Sequence, residues 1–78
     1  MLTYDEDADV LYVRLNDAPS ARTSSLDDLR LIDYSAEGSV VGVEFIDATG
    51  GIDLRDVPFR EKIERLIGDS GLPLRILA

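Results

Sequence analysis

The stretch from Leu29 to Ile46 limits most narrowly what this chain can fold into. Two alternating runs, Leu29 to Tyr34 and Val40 to Ile46, flank Ser35-Ala36-Glu37-Gly38. Alternation rich in β-branched and aromatic residues reads as strand. Gly at the end of the connection supplies the left-handed residue that closes a type I turn with a G1 bulge. The stretch is therefore a hairpin. With Ser35 facing Ser39, Asp33 faces Val41, Leu31 faces Val43 and Leu29 faces Phe45. On the other face Tyr34 meets Val40, Ile32 meets Gly42 and Arg30 meets Glu44. This register gathers apolar residues and pairs opposite charges across the strands. A slip that set Arg30 opposite Val43 would mix the faces.

Leu29, Leu31, Val41, Val43 and Phe45 then form a richer apolar face; Ile32, Tyr34, Val40 and Ile46 form a poorer one. A sheet wetted on one side alternates more cleanly than this. Each face is expected to be covered, one by a helix and the other in part by a second copy or a partner. Ile32, Tyr34, Val40 and Ile46 are the candidate interface residues.

The remaining chain extends the same plan. Leu2 to Tyr4 is a short extended start, Asp5 to Asp9 an acidic reversal, and Val10 to Leu15 a strand with Leu11, Val13 and Leu15 on one side. Asn16-Asp17-Ala18-Pro19 breaks it by turn chemistry. Ala21 to Ser25 is polar and suits an exposed edge. A helix is expected from about Pro58 to Gly68, with Asp56 before it as a cap and Phe59, Ile63, Leu66 and Ile67 as its buried stripe. Glu61 and Arg65 are spaced as an i, i+4 pair. Leu72 to Leu77 reads as a final short strand, pushed to an edge by Pro73. The fold expected is α+β: a small antiparallel sheet of consecutive hairpins packed on one C-terminal helix, with a short terminal strand. Residues 1–78 make one domain, of which 1–48 are the sheet and 49–78 the connection, helix and last strand.

At 78 residues such a domain buries roughly 60% of the surface its unfolded chain exposes. Small domains compensate with disulfides, metals or association. This chain has no Cys and no His, which removes disulfides, thiol chemistry, imidazole bases and the usual zinc ligands, so association remains. Sixteen acidic residues against eight basic ones set a net charge of −8. That balance disfavours nucleic acid and anionic membranes and suits a basic protein partner as well as plain solubility. Nothing in Met1 to Asp9 has the apolar centre of a signal peptide, and no apolar run nears the ~20 residues a bilayer needs. A cytoplasmic location is the simplest expectation.

Candidate chemistry is sparse. Asp5, Asp7 and Asp9 alternate like the start of a calcium loop, but the positions that should hold Gly and a bidentate Glu hold Val10 and Asn16. An acidic, solvated turn is the stronger reading. Asp33 and Glu44 lie on neighbouring strands, yet the register sends them to opposite faces; Glu44 has Arg30 for a partner, and Asp33 suits a bond to the turn backbone. Asp47-Ala48-Thr49-Gly50-Gly51 lacks the spacing and lysine of a phosphate loop and reads as a flexible connection. Tyr4, Tyr12 and Tyr34 suit packing better than base stacking amid so much negative charge. Lys62, the single lysine, lies in a charged helical stretch with no hint of a pocket. No cofactor is expected.

Two runs carry a resemblance: Tyr4 to Leu15, Y-D-E-D-A-D-V-L-Y-V-R-L, and Leu31 to Ala48, L-I-D-Y-S-A-E-G-S-V-V-G-V-E-F-I-D-A. Together they resemble a family of short prokaryotic proteins known as domain of unknown function 2283, over about the first 48 residues. The resemblance implies a small antiparallel sheet of consecutive hairpins and no established activity. It also implies, through the family's occasional gene neighbours, an antitoxin-like role beside small toxin-like proteins. The expected function is a non-catalytic interaction module that forms a homo-oligomer or binds a small basic protein. The alternatives are an enzyme built on carboxylates or a divalent metal, drawing on Asp5, Asp7, Asp9 or Asp33, and a small-ligand binding domain.

Overall fold

A two-stranded hairpin and a three-stranded meander, joined side by side, make the sheet. A computed structural model describes residues 1–77. Its strands are β1 (Leu2–Asp5), β2 (Val10–Arg14), β3 (Arg22–Asp27), β4 (Arg30–Tyr34) and β5 (Val40–Ile46), followed by one helix, α1 (Arg60–Ser70). The strands are ordered β1-β2-β5-β4-β3 and every neighbouring pair is antiparallel. The α+β architecture of hairpins and one C-terminal helix is the one expected. All of β3 is exposed, as its polar sequence implies for an edge.

One sheet face holds the core. Leu11, Val13, Ile32, Val43 and Phe45 meet Ile63 and Ile67 of α1, with Ala48, Ile52, Leu54 and Val57 of the connection filling the space between. Leu11 pairs with Phe45 and Val13 with Val43 across β2 and β5. That single apolar layer is what α1 covers.

The hairpin turn forms as expected. Ser35 N donates to Ser39 O at 2.8 Å, Gly38 N donates to Ser35 O at 3.0 Å, and Gly38 has φ 91°. Tyr34 faces Val40, also as expected. Beyond that pair the expected register is wrong. A second bulge leaves Val41 as an extra residue, so Asp33 faces Gly42, Ile32 faces Val43, Leu31 faces Glu44 and Arg30 faces Phe45. This shift runs opposite to the slip weighed from the sequence. It delivers Ile32 to the core and turns Leu31 away from it, reversing the richer and poorer faces along β4.

Gly42 explains part of the shift. A β-carbon there would lie 2.3 Å from the Tyr12 hydroxyl and 2.7 Å from the Val13 carbonyl oxygen. Only Gly admits the Tyr12 ring at this point on the sheet. Arg30 supplies the rest. Instead of meeting Glu44, its guanidinium is buried, donates to Asp27 at 2.8 Å and to the main-chain carbonyl of Asp53 at 3.2 Å, and also bonds the Arg55 carbonyl.

The chain after β5 departs from expectation in several places. The helix begins at Arg60, after Phe59 in a left-handed conformation at φ 57°, and no side chain caps it. Phe59 is therefore 61% exposed and outside the buried stripe, which Ile63 and Ile67 carry with Leu66 half-buried. Among the described residues no ion pair joins Glu61 to Arg65. The expected last strand reduces to one parallel bridge, Ile52 with Ile76, while Leu72, Leu74 and Ile76 pack against the core. The segment expected to be a flexible connection forms a 3-10 turn, Ala48–Gly50, with Ala48 buried. No helix among the described residues is long and apolar enough to cross a membrane.

Replacing Gly42 with Ala should cost about 1–3 kcal/mol, because the clash with the Val13 carbonyl is with backbone and cannot be relieved by a rotamer. Urea denaturation checks this; a loss below ~0.5 kcal/mol would mean the sheet yields there.

Candidate interaction surface

Strand parity assigns the second sheet face. Opposite the core side, β2 contributes Val10, Tyr12 and Arg14, β5 contributes Gly42, Glu44 and Ile46, and β4 contributes Leu31 and Asp33, with Thr23 and Ser25 beyond them on β3. The residues of β2, β5 and β4 here are half-buried, apart from the buried Gly42. The core cluster that α1 and the connection cover lies on the other side of the sheet.

A polar line crosses this face. The Tyr12 hydroxyl donates to Asp33 Oδ2 at 3.0 Å, and the Thr23 hydroxyl donates to Asp33 Oδ1 at 2.6 Å. Tyr12 reaches Asp33 by lying across Gly42. Burial of the phenol, reinforced by the Asp33 carboxylate, raises the Tyr12 pKa. Around the line lie Val10, Ile46 and Leu31, the carboxylate of Glu44 and, on β1, Thr3 and Asp5. Arg14, the basic residue of the face, turns its guanidinium to the carbonyls of Asp17 and Ala18. The surface is thus moderately apolar and carries uncompensated carboxylates.

The sequence-derived interface residues do not share this surface. Ile32 is a core residue at 5% exposure. Tyr34 and Val40 are half-buried against the same core, and Tyr34 carries Arg22 over its ring at 4.4 Å. Only Ile46 lies on the open face. Leu31 joins this face because the bulge at Val41 inverts β4, while Val10 and Tyr12 occupy the side of β2 opposite Leu11 and Val13. Gly42 was the available signal, since a glycine inside a strand marks a close approach.

The carboxylates weighed as catalytic or metal-binding go separate ways. Asp5 Oδ1 accepts from Asp7 N at 3.0 Å and Ala8 N at 3.1 Å, closing the first reversal. Asp9, at φ 55°, accepts from the Tyr4 hydroxyl at 2.8 Å and the Thr49 hydroxyl at 2.6 Å, fastening that reversal to the 3-10 turn. Asp33 and Glu44 occupy the same face, not opposite ones, but Asp33 is held by Tyr12 and Thr23 and does not bond to the turn. Among the described residues no three acidic groups are placed to hold a metal ion.

Hydrogen bonds from Thr49 and Tyr4 lower the Asp9 pKa, and those from Arg30 lower that of Asp27. Arg55, bonded to Asp53, holds that carboxyl far below its usual range. Depressed folded-state values stabilise the fold above the unfolded carboxylate pKa of ~3.9 and are lost as pH falls through the folded value. Stability should stay level from pH ~7 to ~5 and fall below ~4, with Asp53→Asn making the fall shallower. Urea midpoints against pH test this; an unchanged acid limb in the variant would refute it.

The family model described as a protein of unknown function, DUF2283, matches residues 1–48, which span all five strands and end inside the 3-10 turn. No curated protein and no solved structure matches this chain.

Proposed function

The chain belongs to the DUF2283 family, whose description assigns no activity, and from that premise we propose that it is a non-catalytic interaction module whose open sheet face docks a small basic protein. The observation that carries this reading is the half-buried, uncovered row of Val10, Tyr12, Leu31 and Ile46, set among Asp5, Asp33 and Glu44. Apolar surface bordered by charge of one sign suits a partner that supplies apolar contacts and the opposite charge. The net charge of −8 adds long-range attraction for a basic protein and repulsion for nucleic acid.

Self-association through this face is the weaker form of the reading. A twofold contact would bring carboxylates of two copies together, at a cost in proportion to their burial. A carboxylate enzyme would need Asp5, Asp7, Asp9 and Asp33 to converge, and the hydrogen bonds of Asp5, Asp9 and Asp33 anchor them in separate places. An antitoxin-like inhibitor of a small basic toxin is the sharpest version of the proposal. A cytoplasmic setting suits it and suits a chain without cysteine.

Leu31→Glu and Ile46→Glu should leave the fold intact, since neither residue belongs to the core cluster. Together they should weaken binding of a lysine- and leucine-rich probe peptide by about tenfold through loss of apolar contact. Nuclear magnetic resonance titration of the labelled chain would read both fold and contact. Shifts centred on Val10, Tyr12, Glu44 and Ile46 are expected; shifts confined to other surfaces would overturn the assignment.

A further inference from the structure

The sheet ends on β3, and every residue of that strand is exposed. An edge strand offers its unpaired main-chain groups to another strand. The ladder decides which groups those are. Ile46 N donates to the Leu29 carbonyl at 2.8 Å, so Leu29 turns its main chain towards β5. By alternation Arg30, Ile32 and Tyr34 turn theirs towards β3, where they face Asp27, Ser24 and Arg22. The N–H and C=O groups of Thr23 and Ser25 therefore point outward.

β3 reads Arg22-Thr23-Ser24-Ser25-Leu26-Asp27, and the register shift between Ser25 and Asp27 leaves Leu26 as an extra residue. With Leu26 outside the alternation, Arg22, Ser24 and Asp27 share the helix side of the sheet, and Thr23 and Ser25 share the open side. The strand is then its own complement when reversed. Ser24 against Ser24 of a second copy sets Thr23 against Ser25 and Arg22 against Asp27. Both outward-pointing residues find main-chain partners, opposite charges meet, and each contact occurs twice. A pairing centred on Thr23 or on Ser25 instead sets Arg22 or Asp27, respectively, against Ser24.

Neither charge is exhausted within the chain. Arg22 stands over the Tyr34 ring, 4.4 Å from its centroid, and forms no ion pair among the described residues. Asp27 accepts from Arg30 and from Leu29 N, yet 46% of its side chain is exposed, and a carboxylate has about four acceptor sites. The other edge has no such self-match, because β1 is four residues long and lacks a basic side chain.

We propose that β3 pairs antiparallel with β3 of a second copy, centred on Ser24, and joins two five-stranded sheets edge to edge. The twofold axis stands perpendicular to the sheet, so the two open faces lie side by side and the inference holds whatever they dock. The net charge of −8 on each copy opposes approach, but a Debye length of about 8 Å at physiological salt leaves the local contacts to decide. One pair of strands makes a small interface, so the dimer is weak.

Sedimentation of the full chain at physiological salt, up to about 1 mM, should show a monomer–dimer equilibrium. Arg22→Glu and Ser25→Pro should each raise its dissociation constant at least about tenfold, the first by opposing like charges and the second by removing an outward N–H. Circular dichroism checks that both fold; if Ser25→Pro does not, Arg22→Glu and a cross-link decide. The chain has no cysteine, so Ser24→Cys reports the register. Its Cα would lie about 4.5 Å from its counterpart, within disulfide range, and oxidation should give a covalent dimer. Glu37→Cys, in the exposed hairpin turn, should not. A monomer throughout the range overturns the proposal, as does parent-like dimerisation in either folded variant or equal cross-linking of the two cysteine variants. Leu31→Glu with Ile46→Glu should leave the dimer intact; its loss there would place the contact on the open face and overturn the edge pairing.

Discussion

Arg30 is only 9% exposed, yet its guanidinium reaches Asp27 on its own hairpin and the carbonyls of Asp53 and Arg55 in the segment leading to α1. A cation so buried is tolerable only when acceptors surround it. The planar fork of arginine meets acceptors on both sides at once, which a lysine ammonium on its single stem would not. Because those acceptors are main-chain groups, the connection has to pass beside β4. Leu54 and Val57 then enter the core, and α1 is directed over Leu11, Val13, Val43 and Phe45. The course of the chain after residue 50 follows from this one buried charge.

The same contact decides which sheet face is open. With Val41 as the extra residue, Arg30 and Ile32 turn to the covered side while Leu31 and Asp33 turn to the uncovered one. Tyr12 then spans Gly42 to reach Asp33, which also receives Thr23, and β2, β4 and β3 are tied together across β5. These hydrogen bonds fix the Tyr12, Asp33 and Thr23 side chains relative to one another on an otherwise open surface. Rigidity of this kind lowers the entropy cost of docking a partner.

Charge is distributed as deliberately as apolar area. The carboxylates of Asp9, Asp27 and Asp53 fasten turns and the connection to the sheet, which explains a share of the acidity by folding alone. Those of Asp5, Asp33 and Glu44 border the open face. On α1 the exposed cations Arg60, Lys62 and Arg65 alternate with the carboxylates Glu61, Glu64 and Asp69.

Period and turn chemistry made much of this legible in the sequence. Alternation located the strands, Gly38 located the hairpin turn, and the spacing of Ile63, Leu66 and Ile67 located the helix, because each is a local preference acting over a few residues. The hairpin register was not legible beyond the turn. Its alternatives differ by one residue, and the choice rests on Gly42 meeting Tyr12 from another strand and on Arg30 meeting carbonyls more than 20 residues away. The open face was misassigned for the same reason, since one bulge exchanges the two sides of a strand. Phe59 also fitted the helical stripe by spacing, but the chain's approach to α1 left it outside. The sequence by itself determined which segments are strand, turn and helix and how much charge they carry; only tertiary structure decided which side of each strand is covered, because that depends on contacts between segments far apart in the chain.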